Sequence, residues 1–122
     1  MRKLQLEWQG YYPMDEKTIR GKVDDRAGVF KISRKQKDGS LKPFYIAQTE
    51  GLKMRLLELI TSTEGSCIKE RLDKGDCHFR FACLYTKDDL DCAEKALYKR
   101  YTPKCNDKDA VPDVEDVEVN SN

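Results

Sequence analysis

Residues 88–101 carry the periodicity of a helix, with an apolar face made by Leu90, Ala93, Leu97, Tyr98 and Tyr101. With Leu90 at zero on a helical wheel, these positions fall between about −60° and +80°, and Glu94 falls among them at about +40°. A carboxylate facing a core is costly unless it is paired, hydrogen-bonded or bound to a cation. Arg55, at the edge of the apolar stripe of an earlier helix, is the obvious partner for a structural ion pair. The other reading is a metal-binding or catalytic carboxylate in a cleft. Five cysteines (Cys67, Cys77, Cys83, Cys92, Cys105) and one histidine, His78, never fall as C-x-x-C and lack the spacing of a zinc site. All five are expected as reduced thiols, Cys83 packing as a small hydrophobe.

The elements that must position these groups fit one domain, since 122 residues supply a single core. The start lacks the apolar run of a signal peptide and no stretch is long enough to cross a bilayer, so a cytoplasmic location is expected. The net charge of +1 hides an asymmetry: six acids against one base from Asp107 onward, leaving 22 Lys+Arg and 16 Asp+Glu in residues 1–106, a net of +6. That excess is compatible with a polyanionic partner without the density of a dedicated nucleic-acid patch.

Alternation over residues 3–12 predicts a strand, and residues 15–26 a loop or short helical turn. Residues 27–35 and 42–48 read as a hairpin around Asp38-Gly39-Ser40. Thr49 is placed to cap a helix running to about Ser62, with Leu52, Leu56, Leu59 and Ile60 on one stripe. Residues 64–75 predict a short second helix stopping near Gly75. Residues 77–85 put Phe79, Phe81, Cys83 and Tyr85 on one strand face. The final helix is followed by Thr102-Pro103, which stops it, and by a tail, 107–122, without a periodic core and expected to be disordered.

Gly28-Val29-Phe30, Phe44-Tyr45-Ile46-Ala47, Arg55, Glu94 and Tyr101-Thr102-Pro103-Lys104-Cys105-Asn106 together resemble a variant GIY-YIG nuclease domain. The order of motifs agrees with that family, as does the step from Tyr45 to Arg55. The step from Glu94 to Asn106 resembles its excision-repair branch. The resemblance covers residues 27–106, with 1–26 as an N-terminal strand-and-loop extension. It implies an α+β fold, a small antiparallel sheet of three or four strands flanked by helices. It also implies hydrolysis of phosphodiester bonds in DNA (branched, damaged or foreign) with one divalent metal, usually magnesium. Glu94 would be the sole protein ligand to the cation, as magnesium's preference for water and phosphate oxygens allows. Arg55 would bind the scissile phosphate, Tyr45 would orient or deprotonate the attacking water, and Asn106 would brace the site.

Two positions depart from the pattern. Phe30 lacks the hydroxyl of the usual tyrosine, and positioned proton transfer is typically worth about 10²–10⁴ in rate; Tyr45, Lys31 or Lys53 would have to compensate. Ala47 replaces a glycine and adds a methyl where close approach is expected. Each site residue also has an ordinary role open to it: an ion pair for Arg55, a strand aromatic for Tyr45, a helix stop for Asn106. The alternative to an endonuclease is therefore a catalytically impaired module that binds nucleic acid or a protein partner without cleavage.

Overall fold

The computed structural model describes residues 1–61 and 66–120. Its centre is a four-stranded antiparallel sheet of β2 (Gln9–Pro13), β5 (Cys77–Cys83), β3 (Gly28–Lys35) and β4 (Leu41–Thr49), in that order. Alternation along β3 sorts the core into two layers. Phe30 and Ile32 join Phe79 and Phe81 of β5 on one face, against α1 (Glu16–Lys22), α2 (Leu52–Thr61) and α3 (Cys67–Asp73). Val29, with Ile46 and Ala82, faces α4 (Lys87–Tyr101) through Leu90, Ala93 and Leu97. The α+β architecture expected from the sequence is thus present.

Local chemistry explains the ends of these elements. The Ser66 hydroxyl accepts from the Lys69 amide at the start of α3. Thr86 caps α4 in the same way, with Asp88 and Asp89 in its first turn and Lys99 and Arg100 in its last. Thr102, with φ of 39°, ends α4 in the left-handed region by donating its amide to the Tyr98 carbonyl. Thr49 is not the cap of α2: its hydroxyl engages Gly51. The first free amides of α2 go instead to the loop before β3, Leu52 to the Arg26 carbonyl and Met54 to the Asp25 carboxylate. Gly28 lies under that junction, where a Cβ would stand 2.4 Å from the Ala82 carbonyl oxygen and 2.7 Å from a Leu52 methyl.

Residues 1–26 build into the same core: β2 is the outer strand beside β5, the helical turn read within 15–26 is α1, and Ile19 of α1 and Val23 just after it are core residues. Several expectations are corrected. Alternation concealed a break between β1 (Arg2–Leu4) and β2. Residues 107–120 are not a disordered tail: a 3-10 turn at Lys108–Ala110 leads to β6 (Val117–Val119), which pairs in parallel with β1. Asn120 exchanges hydrogen bonds with the Leu6 backbone, and Asp116 bridges Lys95 and Lys99 on α4. Of the acids in this segment, Asp116 is therefore a partner for α4, while Glu115 and Glu118 pair with Arg2 and Lys3 beside β1. Tyr85 lies past the end of β5 and is 77% exposed. Ser62 to Gly65, where the sequence puts the end of one helix and the start of the next, lie outside the described residues. Cys67 and Cys105 are not free thiols but form a disulfide across 38 positions, a pairing that spacing alone did not signal. Cys77, Cys83 and Cys92 remain free, Cys83 packing on the core as expected.

Candidate active site

β4 is an edge strand, so its outward amides and carbonyls need partners other than a neighbouring strand. The chain after α4 supplies them. Cys105 donates its amide to the Phe44 carbonyl at 2.9 Å. The Asn106 side chain accepts from the Ile46 amide at 2.9 Å and donates to the Ile46 carbonyl at 2.6 Å, fastening to one residue from both ends. Two positions further along the edge, the Gln48 amide donates to Glu94 Oε1 at 3.2 Å. Glu94 and Asn106 thus meet β4 from outside the sheet while Tyr45 and Ala47 belong to its other face, towards α2. A bulge at Phe44, where one step of β3 spans two of β4, sits directly before Tyr45 and sets the direction in which it leaves the strand.

The result is a cleft of about 420 Å³ lined by Tyr45, Ile46, Ala47, Glu94, Asn106 and Asp107, with Ile68, Cys105, Ala110 and Val111 completing its wall. Three of the four expected catalytic residues share it. Arg55 does not line it. Its guanidinium lies beside the Tyr45 hydroxyl and pairs with Glu58 of its own helix at 3.2 Å. Burial acts to lower the Arg55 pKa, but Tyr45 and then Glu58 outweigh it and raise it. The Arg55–Glu94 ion pair that would have made Glu94 purely structural is not formed.

Glu94 is half-buried, and burial is the main reason its carboxyl is held above its ordinary value. The Gln48 bonds pull it down, Asp91 pushes it up and Lys87 pulls it down, in that order. Among the described residues Oε2 makes no hydrogen bond or ion pair, so one oxygen is anchored and the other is available to a cation. Gln48, which the sequence reading passed over, organises this corner. Its side chain donates to Asp91 and accepts from Lys87 while its amide holds Glu94. Burial raises the Asp91 carboxyl, but Gln48 and Lys87 prevail and hold it below the usual range. Asp107 was also missed as a lining residue; it follows Asn106 and had been assigned to the tail.

The motif positions divide between site and core. Ala47 lines the cleft with its methyl. Phe30, opposite Ala47 in the register, is fully buried with its ring 6.0 Å from that of Tyr45. Lys31 is no substitute base for this cleft. It is fully buried on the opposite sheet face, its ammonium 4.9 Å from the Trp8 ring and 4.8 Å from that of Tyr101. One trio among the described residues is compact enough to hold a metal ion, Asp88, Cys92 and Glu115, but Arg2 already bridges both of its carboxylates.

This fold is shared with the GIY-YIG N-terminal endonuclease domain of UvrC from Thermotoga maritima. Its magnesium-bound form matches with a TM-score of 0.60 at 21% identity, covering 75% of this chain and 98% of that one. A tyrosine-to-phenylalanine point mutant of the same domain, bound to the catalytic divalent cation, matches with the same score at 22% identity over the same shares. An asparagine-to-alanine mutant, also cation-bound, does so at 20% identity. No protein-family model and no curated protein matches the chain. The chain therefore has the GIY-YIG endonuclease-domain fold. Among the described residues, no helix is long and apolar enough to cross a membrane.

Proposed function

We propose that the chain is a divalent-metal-dependent endonuclease domain that hydrolyses phosphodiester bonds in DNA, with Glu94 holding the cation. The observation that carries this is the half-buried Glu94 carboxylate, anchored through Oε1 and free at Oε2, in a cleft shared with Tyr45 and Asn106. Such a donor suits magnesium, which takes one or two carboxylates and completes its shell with water and phosphate oxygens. The bound ion would offset charge on the leaving oxygen.

The chain's own residues would do the rest. Asn106 fixes the β4 edge and, through it, the Gln48 amide that orients Glu94. Tyr45 presents its hydroxyl to the attacking water, held in place by Arg55 beside it. Arg55 keeps N–H donors beyond those turned to Tyr45 and Glu58, so it can offer part of its fork to the scissile phosphate. Residues 27–106 carry all of these groups. The Cys67–Cys105 disulfide and the cytoplasmic location expected from the sequence pull in opposite directions, because such bonds persist mainly in oxidising compartments.

A second reading, a binding module without cleavage, draws on Phe30, which has no hydroxyl to offer, and on the Ala47 methyl in the cleft. One experiment separates the two. Purified protein incubated with single-stranded, duplex and branched DNA and magnesium should cleave at least one substrate. Glu94→Gln should reduce the rate at least about 10²-fold. Absence of cleavage by the wild type, or cleavage that survives in the variant, rejects the nuclease reading.

A further inference from the structure

A second cleft lies on the other side of the bond between Phe44 and Cys105. It has a volume of about 180 Å³, against about 30 Å³ for a water molecule in the liquid. Phe44, Pro43 and Gln36 line it with five cationic side chains, Arg34, Lys42, Arg71, Lys74 and Lys104, and no acid. Isolated exposed lysines such as Lys17, Lys22 and Lys37 also lack an ion pair among the described residues, whereas Arg2, Lys3, Arg20, Arg26, Arg55, Lys69, Lys87, Lys95 and Lys99 all have carboxylates within 4.0 Å. Among the described residues none of the five cleft cations does. Among the described residues no acid after Asp107 lies within 4.0 Å of them: Asp116 is committed to Lys95 and Lys99, Glu115 to Arg2 and Glu118 to Lys3.

The two guanidinium groups are held in place without being neutralised. Arg34 donates to the Gly75 carbonyl, and Arg71 donates to the Cys67 carbonyl with its head group 6.0 Å from the Phe44 ring centre. Five unpaired cations at one concavity repel one another, and an anion is the ligand that removes the repulsion. The walls are fixed: α3 carries Arg71 and ends at Lys74, the strand segment after the hairpin carries Lys42, and the disulfide ties α3 to the residue after Lys104.

The position of this cleft names the anion. Lys42 and Phe44 lie on the strand that continues to Tyr45, and Lys104 lies two residues before Asn106. At about 3.3 Å per residue, Lys42 and Tyr45 are roughly 10 Å apart, about three base-pair rises along the axis of a duplex. We infer that the cleft of Arg34, Lys42, Arg71, Lys74 and Lys104 is a phosphodiester subsite, which grips the nucleic-acid backbone a few nucleotides from the bond placed at Glu94. The inference rests on the nuclease-site reading for that distance only.

Binding of fluorescently labelled DNA to the full chain, followed by anisotropy in EDTA between 50 and 200 mM salt, tests it without cleavage. The double variant Lys42→Ala/Lys104→Ala should bind about tenfold more weakly at 50 mM salt. Its dependence of log affinity on log salt should be shallower by about 1.8 for duplex DNA. The matched variant Lys17→Ala/Lys22→Ala, on exposed positions of α1, should stay within twofold of wild type. Equal losses in both double variants, an unchanged salt slope, or equal displacement of the DNA by an acidic peptide of the same charge would overturn the subsite. Wild type that binds in this pattern but never cleaves defeats the nuclease reading alone, and cleavage with unchanged affinity in Lys42→Ala/Lys104→Ala defeats the subsite alone.

Discussion

Burial raises the Glu94 carboxyl above its ordinary value of 4.5, so the native state holds that proton to higher pH than the unfolded chain does. The sign follows from linkage: the contribution of Glu94 to stability is full below 4.5 and is lost as pH rises through the raised native value. At neutral pH the charged group therefore weighs against folding, although its partial exposure keeps the effect small. Glu94→Gln retains an acceptor for the Gln48 amide and removes the charge. Thermal melts should show it more stable than wild type by the order of 0.5–1 kcal/mol at pH 7, with the difference shrinking as pH falls towards 4.5. A variant less stable than wild type at pH 7 would contradict this. The helical wheel located Glu94 because a carboxylate among Leu90, Ala93 and Leu97 violates the pattern. Gln48 gave no such signal, since a polar side chain on an edge strand breaks no pattern and any residue but proline carries the amide that reaches Glu94.

At the scale of elements, the site exists because β4 is an edge. Its free backbone groups are covered by Glu94 from α4 and by the segment that follows α4, rather than by a fifth strand. The sequence made β3, β4, β5 and α4 legible through period-2 and period-3.6 patterns and through Thr102-Pro103. It did not reveal β1 and β6, because three-residue strands carry too little alternation to stand apart from charged loops. Nor did it reveal the disulfide, since two cysteines 38 positions apart meet only after α3 and the segment following α4 have packed. That bond closes a long loop, and the chain-entropy account gives about 4 kcal/mol for a closure of this length. Cys67→Ser/Cys105→Ser, or reduction of the wild type, should lower the melting temperature by roughly 10–20 °C, measured by circular dichroism with and without a thiol reductant. An unchanged melt would mean that the two sulfurs are not joined in solution.

Over the whole molecule, charge is sorted rather than spread. Glu115 and Asp116 are drawn onto Arg2, Lys95 and Lys99, beside α4, while five cations unpaired among the described residues collect near the Glu94 cleft. The sequence already separates a basic body from an acidic tail; it does not show Glu115 and Asp116 folding back onto Arg2, Lys95 and Lys99, because a tail without a periodic core is expected to be disordered. The central claim is that a cation binds in the cleft of Glu94, Tyr45 and Asn106. Crystals grown or soaked with manganese in place of magnesium, with data collected at a wavelength where manganese scatters anomalously, test it directly. The account predicts one anomalous peak in that cleft, about 2.0–2.2 Å from a Glu94 oxygen and missing in Glu94→Gln. A peak at Asp88, Cys92 and Glu115 with none at Glu94, or a peak that persists in Glu94→Gln, would contradict it.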